Sequence, residues 1–249
     1  MLGLSNNLSK PGIVSPGIVT DSLVLKHNYA AGGVVPVSDG AALFVASNAD
    51  YINVGNSSSL QITGTAITVT SWVNILTDTD WMKIISNSTG GSYTDGYTFF
   101  YSNEQFHFSI NHETTNVAKV AYTAYGEWHH LTGVYDGTNI KIYVDGVLGG
   151  TDTYSSAIGN TRDTYIGAGY TDSVNGYMNG YICNLGIWTA ALTQPQIKSI
   201  MWKNYAGLTS SETTNLVSWW NLDEETATDG TAGSGGVKDH EGSNHGTLT

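Results

Sequence analysis

Short runs of apolar and aromatic residues, separated by Gly, Asn and Asp, follow one another along most of the chain. The clearest pair covers residues 128–135 and 139–144, with Asp136-Gly137-Thr138 between them and Asp145-Gly146 after them. Asp-Gly between such runs is typical of β-hairpins, because glycine adopts positive φ without steric cost. The same pattern predicts further strands at 22–26, 42–46, 51–54, 66–75, 81–86, 97–101, 105–110, 117–122, 163–167 and 180–188.

The chain is therefore predicted to be all-β in class, with side chains alternating between the two faces of each strand. Strand 180–188 then divides into two sets, with Cys183, Leu185 and Ile187 on one face and Ile182, Asn184, Gly186 and Trp188 on the other. One short helix is predicted near residues 193–205. Thr193 can cap it, Pro195 fits its first turn, and Gly207 closes it.

The two ends of the chain differ from the middle. Residues 1–20 contain Pro11-Gly12-Ile13-Val14 and Pro16-Gly17-Ile18-Val19. Proline at this spacing prevents a helix, so an extended N-terminal segment is predicted. It is either a poorly ordered terminus or an assembly arm that packs Ile13, Val14, Ile18 and Val19 on its own sandwich or on a neighbouring subunit; the apolar pairs favour the arm.

A second division is predicted at residue 210, after a main domain of residues 21–209. The C-terminal extension, residues 210–249, carries Trp219, Trp220 and Leu222. An isolated pair of short strands is only marginally stable, so these side chains need a partner surface. Folding back on the same sandwich is favoured; the alternative is the start of a further unit that another chain completes.

Charge narrows the range of partners. Only 12% of residues are charged, yet 21 acids against 9 bases give a net charge of −12. Binding to nucleic acid or to anionic lipid needs clustered Lys and Arg, so neither is expected. The first ten residues do not resemble a secretory signal, and no apolar run is long enough for membrane insertion. Cys183 is the single cysteine and is expected to be a small buried residue.

A family resemblance follows from residues 127–146, Glu-Trp-His-His-Leu-Thr-Gly-Val-Tyr-Asp-Gly-Thr-Asn-Ile-Lys-Ile-Tyr-Val-Asp-Gly. This order resembles the core of laminin-G-like domains of the concanavalin A-like lectin/glucanase superfamily. The resemblance extends over roughly residues 21–208 and implies a jelly-roll sandwich of two antiparallel sheets. Residues 215–224 resemble the segment that commonly opens such a domain, although here it comes last. Relatives usually carry an acidic residue where this chain has Cys183, so no carboxylate role is carried over to that position.

No catalytic residue is predicted. Glucanases of this superfamily place acidic residues at alternate positions of one strand, and no such strand occurs here. The run Asp223-Glu224-Glu225 is interpreted as a solvated surface. His240 and His245 lie in a Gly- and Ser-rich segment that cannot form the helix a zinc pair requires.

Two loops combine aromatic and polar residues in the way that sugar recognition uses. Their candidate ligand-binding residues are Tyr93, Asp95, Tyr97, Tyr170, Asp172 and Asn175. The alternative for Tyr97 and for Tyr177 is ordinary packing. No cofactor is expected, although a structural calcium held by Asp50, Asp95 or Asp172 is compatible with the resemblance, and the metal site is left unassigned.

Three classes of function remain. The first is a non-enzymatic virion or particle component, because the overall pattern is similar to laminin-G-like structural proteins of tailed marine bacteriophages. This function implies capsid or other particle subunits as partners, a homo-oligomer, and a virion or extracellular location. The second is a stand-alone carbohydrate-binding adhesin that recognises cell-surface glycan. The third, least supported, is a polysaccharide hydrolase or lyase.

Overall fold

Two antiparallel β-sheets pack face to face and bury the apolar side chains between them. The structure is a computed structural model that describes residues 38, 40–88, 94–159, 162–170, 173–224 and 236–249. The strand predicted at 22–26 and the N-terminal arm lie outside the described residues. The predicted fold class, a mostly β sandwich of two antiparallel sheets with one helix, is confirmed.

The strands follow the runs of β-branched and aromatic residues. In chain order they are β1 (Ala42–Phe44), β2 (Ile52–Gly55), β3 (Ile67–Ile75), β4 (Met82–Asn87), β5 (Tyr97–Ser102), β6 (Gln105–Ile110), β7 (Val117–Ala121), β8 (His129–Tyr135), β9 (Asn139–Val144), β10 (Val147–Thr153), β11 (Thr164–Ile166), β12 (Gly169–Tyr170), β13 (Val174–Asn175), β14 (Gly180–Trp188), β15 (Leu216–Trp220), β16 (Gly236–Val237) and β17 (Gly246–Leu248). Short 3₁₀ helices cover Ala46–Asn48 and Tyr205–Gly207.

Sheet A has the order β1-β14-β3-β8-β9-β10, with β15 also paired to β14. Sheet B has the order β16-β17-β2-β11-β4-β5-β6-β7, and β12 pairs with β13 as a separate hairpin. The inner faces of both sheets supply one core, which includes Ile52, Ile85, Phe99, Phe108, Leu131, Ile142, Ile166 and Leu185. Since alternate residues of a strand point to opposite faces, these core positions fix which side chains each sheet presents outward.

Among the described residues there is one α-helix, α1, which spans Gln194–Ile200. Thr193 precedes it, and the Gln196 side-chain oxygen accepts hydrogen bonds from the Thr193 backbone nitrogen at 2.9 Å and from its hydroxyl at 2.7 Å. Ile197 and Ile200 pack with Trp188 and Trp219 in a second apolar cluster, so the helix covers part of the outer face of sheet A. Within the described part of the chain, no helix has the length and apolar character that a membrane crossing requires.

Strand β14 does not alternate as the sequence predicted. Its pairing with β3 shifts register between Cys183 and Gly186, and Asn184 has a φ of 49°. A bulge adds one residue to a strand and reverses the alternation beyond it. Ile182 therefore joins Leu185 and Ile187 in the core between the sheets, whereas Cys183 packs on the other side with Trp72 and Met201. The prediction that Cys183 shares a face with Leu185 is wrong for this reason.

The C-terminal segment contributes strands to both sheets of this chain. Strand β15 pairs with β14, placing Trp220 opposite Leu185, and β17 pairs with β2, placing Thr247 opposite Asn53. Beyond β17, Thr249 and Tyr51 exchange two backbone hydrogen bonds of 2.9 and 3.2 Å. Residues distant in sequence thus lie side by side at the start of β2.

Candidate functional site

Four tyrosine rings gather on the outer face of sheet B, and we call Tyr51, Tyr165, Tyr170 and Tyr177 the tyrosine cluster. The ring centroids of Tyr51 lie 5.9 Å from those of Tyr165 and 6.3 Å from those of Tyr177. Tyr165 and Tyr170 stack at 6.1 Å with an interplanar angle of 11°. Tyr165 is the innermost ring and is buried, whereas the other three are only partly buried. The cluster therefore offers ring surface to solvent around a packed centre.

The outward position of Tyr165 follows from strand alternation. Its neighbour Ile166 lies in the core, so the Tyr165 side chain leaves the opposite face of β11. Tyr165 pairs with Asn53 of β2 on one side and with Ser86 of β4 on the other. Both partners are smaller than tyrosine, so Tyr165 is the largest of these three neighbouring side chains in sheet B.

The hairpin of β12 and β13 carries Tyr170, and the residues that follow it carry Tyr177. Three backbone hydrogen bonds anchor this segment to sheet B: Gly167 donates to Ile84, Met178 to Gly167, and Lys83 to Gly176, at 2.8 to 2.9 Å. The Tyr177 hydroxyl donates to the carbonyl oxygen of Val174 at 2.9 Å. The two rings are therefore held by backbone contacts and do not depend on a long free loop.

The phenol group of Tyr165 remains neutral near physiological pH. Burial raises the pKa of Tyr165 to about 12, and the nearby charge of Asp163 acts in the same direction. The Tyr165 hydroxyl lies 3.4 Å from an oxygen of the Asp163 carboxylate. A neutral phenol presents an apolar ring face together with a polar hydroxyl, which is the combination used at wet binding sites.

Next to the cluster, the outer face of sheet B holds a buried ion pair. Lys83 Nζ lies 2.9 Å from Glu113 Oε2, and the two side chains are 2% and 9% exposed. Burial lowers the pKa of Lys83, and the Glu113 carboxylate opposes part of that shift. Since Glu113 follows β6 and Lys83 belongs to β4, the pair ties the loop after β6 across the outer face of β5.

The structure brings together only part of the predicted ligand-binding set. Tyr170 and Asn175 lie on the hairpin beside the cluster, and Asn175 Nδ2 donates to the Ser173 carbonyl oxygen at 3.0 Å. Asp95 lies near the end of β4, where its carboxylate accepts from Ser88 Oγ at 3.2 Å and lies 3.7 Å from Arg162 Nε. Tyr93 and Asp172 lie outside the described residues.

Tyr97 does not fit a role in surface binding. Its side chain is 0% exposed and belongs to the core between the sheets, so it cannot contact a ligand in solvent. Burial raises the pKa of its phenol group above the usual range. The packing alternative considered for Tyr97 is therefore correct.

Sequence reasoning did not select Tyr51 and Tyr165, and it left packing open as the alternative for Tyr177. The outward position of Tyr165 could have been predicted from the sequence. Tyr165 and Ile166 are consecutive residues of one strand, so their side chains lie on opposite faces of the sheet. Tyr51 had none, since its proximity to Tyr165 depends on the pairing of β2 with β11.

One group of side chains has the composition of a metal site. The ligand atoms of Asp223, Glu224 and His240 all lie within 4.8 Å of one another, and the three residues are partly buried. They meet because the His240 backbone nitrogen donates to the Trp219 carbonyl oxygen at 2.8 Å, which brings the end of β15 beside residue 240. Two carboxylates with one imidazole suit zinc or manganese better than calcium, which prefers oxygen ligands alone.

Cys183 is buried and makes no disulfide, as expected for a structural cysteine. Burial raises the pKa of its thiol, which keeps it protonated and unreactive.

The two-sheet architecture and the aromatic outer face define a lectin-like β-sandwich domain. The chain belongs to the laminin-G-like family of the concanavalin A-like lectin/glucanases superfamily, whose sequence profile matches residues 46–198, more than half of the chain. No curated protein sequence matches the chain significantly.

Solved structures share the fold at low sequence identity. A proposed carbohydrate-binding protein from Bacteroides ovatus is 16% identical with a TM-score of 0.61; the match covers 84% of this chain and 57% of that one. The heptameric SAP-like pentraxin of Limulus polyphemus is 16% identical with a TM-score of 0.52, over 67% of this chain and 83% of that one. The binding domain of botulinum neurotoxin serotype G is 14% identical with a TM-score of 0.50, over 64% and 41%. This chain therefore spans a little over half the length of the Bacteroides protein.

Proposed function

We propose that the protein is a non-catalytic carbohydrate-binding module whose ligand contacts the tyrosine cluster. The observation that carries this proposal is the group of four neighbouring tyrosine rings on the outer face of sheet B, three of them partly exposed. The axial C–H groups of a sugar form an apolar surface that packs on an aromatic face, while its hydroxyls hydrogen-bond to polar groups around the ring.

The surroundings of the cluster supply such polar groups. Asn53 flanks Tyr165 in the sheet, and Asn175 lies on the hairpin that carries Tyr170. Their amide groups both donate and accept hydrogen bonds, as recognition of hydroxyls requires. The fold shared with a proposed carbohydrate-binding protein supports the same function.

The test begins with a glycan array that displays neutral and acidic oligosaccharides. The unsubstituted protein should bind at least one class of glycan, and Tyr170→Ala should weaken that binding by about tenfold, because it removes one stacking surface. Tyr125→Ala is the matched control: Tyr125 is 38% exposed and contacts Tyr101 and Tyr122, outside the cluster. Its binding should remain unchanged.

An array without bound glycan would refute the proposal. Release of reducing ends from a bound polysaccharide would instead favour a hydrolase, and formation of unsaturated sugar products would favour a lyase. Equal losses in the Tyr170 and Tyr125 variants would place the ligand outside the cluster.

A role as a virion or other particle component remains a separate prediction. The arm on which it depends, with Ile13, Val14, Ile18 and Val19, lies outside the described residues. Mass spectrometry of purified particles should detect the protein as a stoichiometric component, together with the subunits it contacts. Its absence from such particles would contradict an assembly role and leave glycan binding untouched.

A further inference from the structure

Trp81 presents an indole ring to solvent from an unusual backbone conformation. Its side chain is 40% exposed. Asp80 and Trp81 have φ angles of 50° and 58°, in the left-handed region that side chains other than glycine seldom adopt. Strain of this kind persists only where the surrounding structure fixes it, and it is frequent at binding sites.

The Asp80 carboxylate fixes that conformation. One of its oxygens accepts hydrogen bonds from Ser102 Oγ at 2.6 Å, from the Asn103 backbone nitrogen at 3.2 Å and from the Trp81 backbone nitrogen at 3.0 Å. These bonds tie the turn before β4 to the end of β5. The exposed indole is therefore held in place before any ligand arrives, which reduces the entropy lost on binding.

A layer of aromatic and charged groups lies against one side of the indole. The rings of Trp81 and Phe100 stack at 5.7 Å with an interplanar angle of 13°, and Phe100 stacks on His107 at 4.5 Å. Lys83 Nζ lies 4.3 Å from the Phe100 centroid and 5.2 Å from the Trp81 centroid. One face of Trp81 thus packs on the protein, and the exposed part of the ring remains available to a ligand.

The tyrosine cluster and Trp81 adjoin on the outer face of sheet B. Gly176 immediately precedes Tyr177, and a methyl group added to Gly176 would lie 2.8 Å from the Trp81 carbonyl oxygen. The Lys83 backbone nitrogen also donates to the Gly176 carbonyl oxygen at 2.8 Å. These contacts place the backbone of Trp81 beside the residue that precedes Tyr177, so the Trp81 side chain starts from the edge of the cluster.

We propose that Trp81 is a second stacking subsite, which extends the tyrosine cluster into a binding surface for a neutral oligosaccharide chain. This inference rests on the proposed glycan-binding function. Neutral ligands are favoured because Lys83 is already paired with Glu113 and the chain carries a net charge of −12. Lys119, cross-strand from His107, is exposed, and Arg162, close to Tyr165 in the chain, is half exposed and lies 3.7 Å from a carboxylate oxygen of Asp95. Two separated cations, one of them beside a carboxylate, do not create a site for a polyanion.

The experiment measures affinity against ligand length by isothermal titration calorimetry. Its probes are laminari- and arabino-oligosaccharides from disaccharides upward, with alginate oligosaccharides as the anionic series. Trp81→Ala should bind disaccharides as the unsubstituted protein does and longer neutral chains about tenfold more weakly, the equivalent of about 1.4 kcal/mol. Trp81→Phe should restore most of that loss, because it keeps an aromatic face.

Trp202→Ala is the matched control. Trp202 is 49% exposed and packs against Trp72, whose cluster lies on the outer face of sheet A. Its affinity for every length should equal that of the unsubstituted protein. Circular dichroism and the urea midpoint establish that each variant is folded.

Four outcomes would count against the inference. Unchanged affinity of Trp81→Ala for long chains, or an equal loss for disaccharides, would overturn the second subsite while leaving glycan binding intact. Tighter binding of alginate than of neutral chains would overturn the neutral ligand class. Failure of every neutral oligosaccharide to bind the unsubstituted protein would overturn this inference, and the proposed function would fall with it only if the glycan array also showed no bound glycan.

Discussion

Replacing Trp220 by Ala tests whether the C-terminal segment is part of the sandwich core. Trp220 is 0% exposed and belongs to the core cluster between the sheets. It lies opposite Leu185 in the pairing of β15 with β14. Its indole Nε1 donates to the Asn244 carbonyl oxygen at 2.8 Å, so the side chain connects β15 to the segment that leads into β17.

The expected loss of stability follows from these contacts. Truncating a fully buried tryptophan to alanine costs about 3–5 kcal/mol. Loss of the indole donor also leaves the buried Asn244 carbonyl without that hydrogen bond, which places the cost in the upper half of the range. We expect a decrease of about 4–5 kcal/mol in the free energy of unfolding, a large fraction of the roughly 5–15 kcal/mol typical of native proteins.

Urea unfolding followed by far-ultraviolet circular dichroism measures this loss without relying on tryptophan fluorescence. With a slope of about 2 kcal/mol per molar, the midpoint should fall by about 2 M. Trp202→Ala is the control, because its ring is 49% exposed, and it should cost less than about 1 kcal/mol. A Trp220→Ala midpoint within a few tenths molar of that control would refute the reasoning, since the indole could not then be filling the core.

Three further changes test the packing and the electrostatics. Gly133→Ala should destabilise the protein by about 1–3 kcal/mol, because the new methyl group would lie 2.2 Å from Phe108 Cγ; Gly64→Ala, which meets nothing within 4 Å, is its control in thermal unfolding. Burial alone would raise the pKa of the Glu212 carboxyl group, but its hydrogen bonds lower that pKa to about 2. The stabilisation that the Glu212 carboxylate gives to the folded state is therefore present above about pH 4.5 and is lost as the pH falls toward 2. Glu212→Gln should flatten the pH dependence of the free energy of unfolding over this interval. Burial lowers the pKa of His130 to about 3. Because the unfolded chain then binds a proton that the folded protein does not, the free energy of unfolding should fall by up to about 1.4 kcal/mol per pH unit as the pH drops below 6.5. Urea midpoints that show no decline from pH 7 to 4 would contradict this.

The strands of the middle of the chain could be predicted because their sequence pattern is local. Residues 139–144 and 180–188 were predicted with the observed bounds. Strand β10 was missed, because Gly149 and Gly150 are typical of a loop. In the structure, both glycines lie where a side chain would clash with β7. A methyl group on Gly150 would lie 2.1 Å from the Lys119 carbonyl oxygen, and one on Gly149 would lie 2.6 Å from a methyl group of Val120. These glycines allow β10 to approach β7 of the other sheet.

The candidate site could be predicted only in part, because its residues come from two distant stretches of the chain, residues 51–53 and 165–177. Tyr170 and Asn175 were found through the composition of their loop. Tyr51 immediately precedes β2 and Tyr165 lies in β11, and no local sequence pattern indicates that these two short strands are neighbours in the sheet. The bulge at Asn184 was equally hidden, since an asparagine within an apolar strand has no unique backbone meaning.

The C-terminal segment also connects stability with the candidate site. Strand β17 borders β2, and the two backbone hydrogen bonds between Thr249 and Tyr51 hold the first tyrosine of the cluster from outside that strand. Tyr51 contacts both Tyr165 and Tyr177, so displacement of its backbone would separate the rings that the proposed ligand covers. Those hydrogen bonds come from the same C-terminal segment that buries Trp220. We therefore expect that packing of this segment on the sandwich also sets the arrangement of the tyrosine cluster.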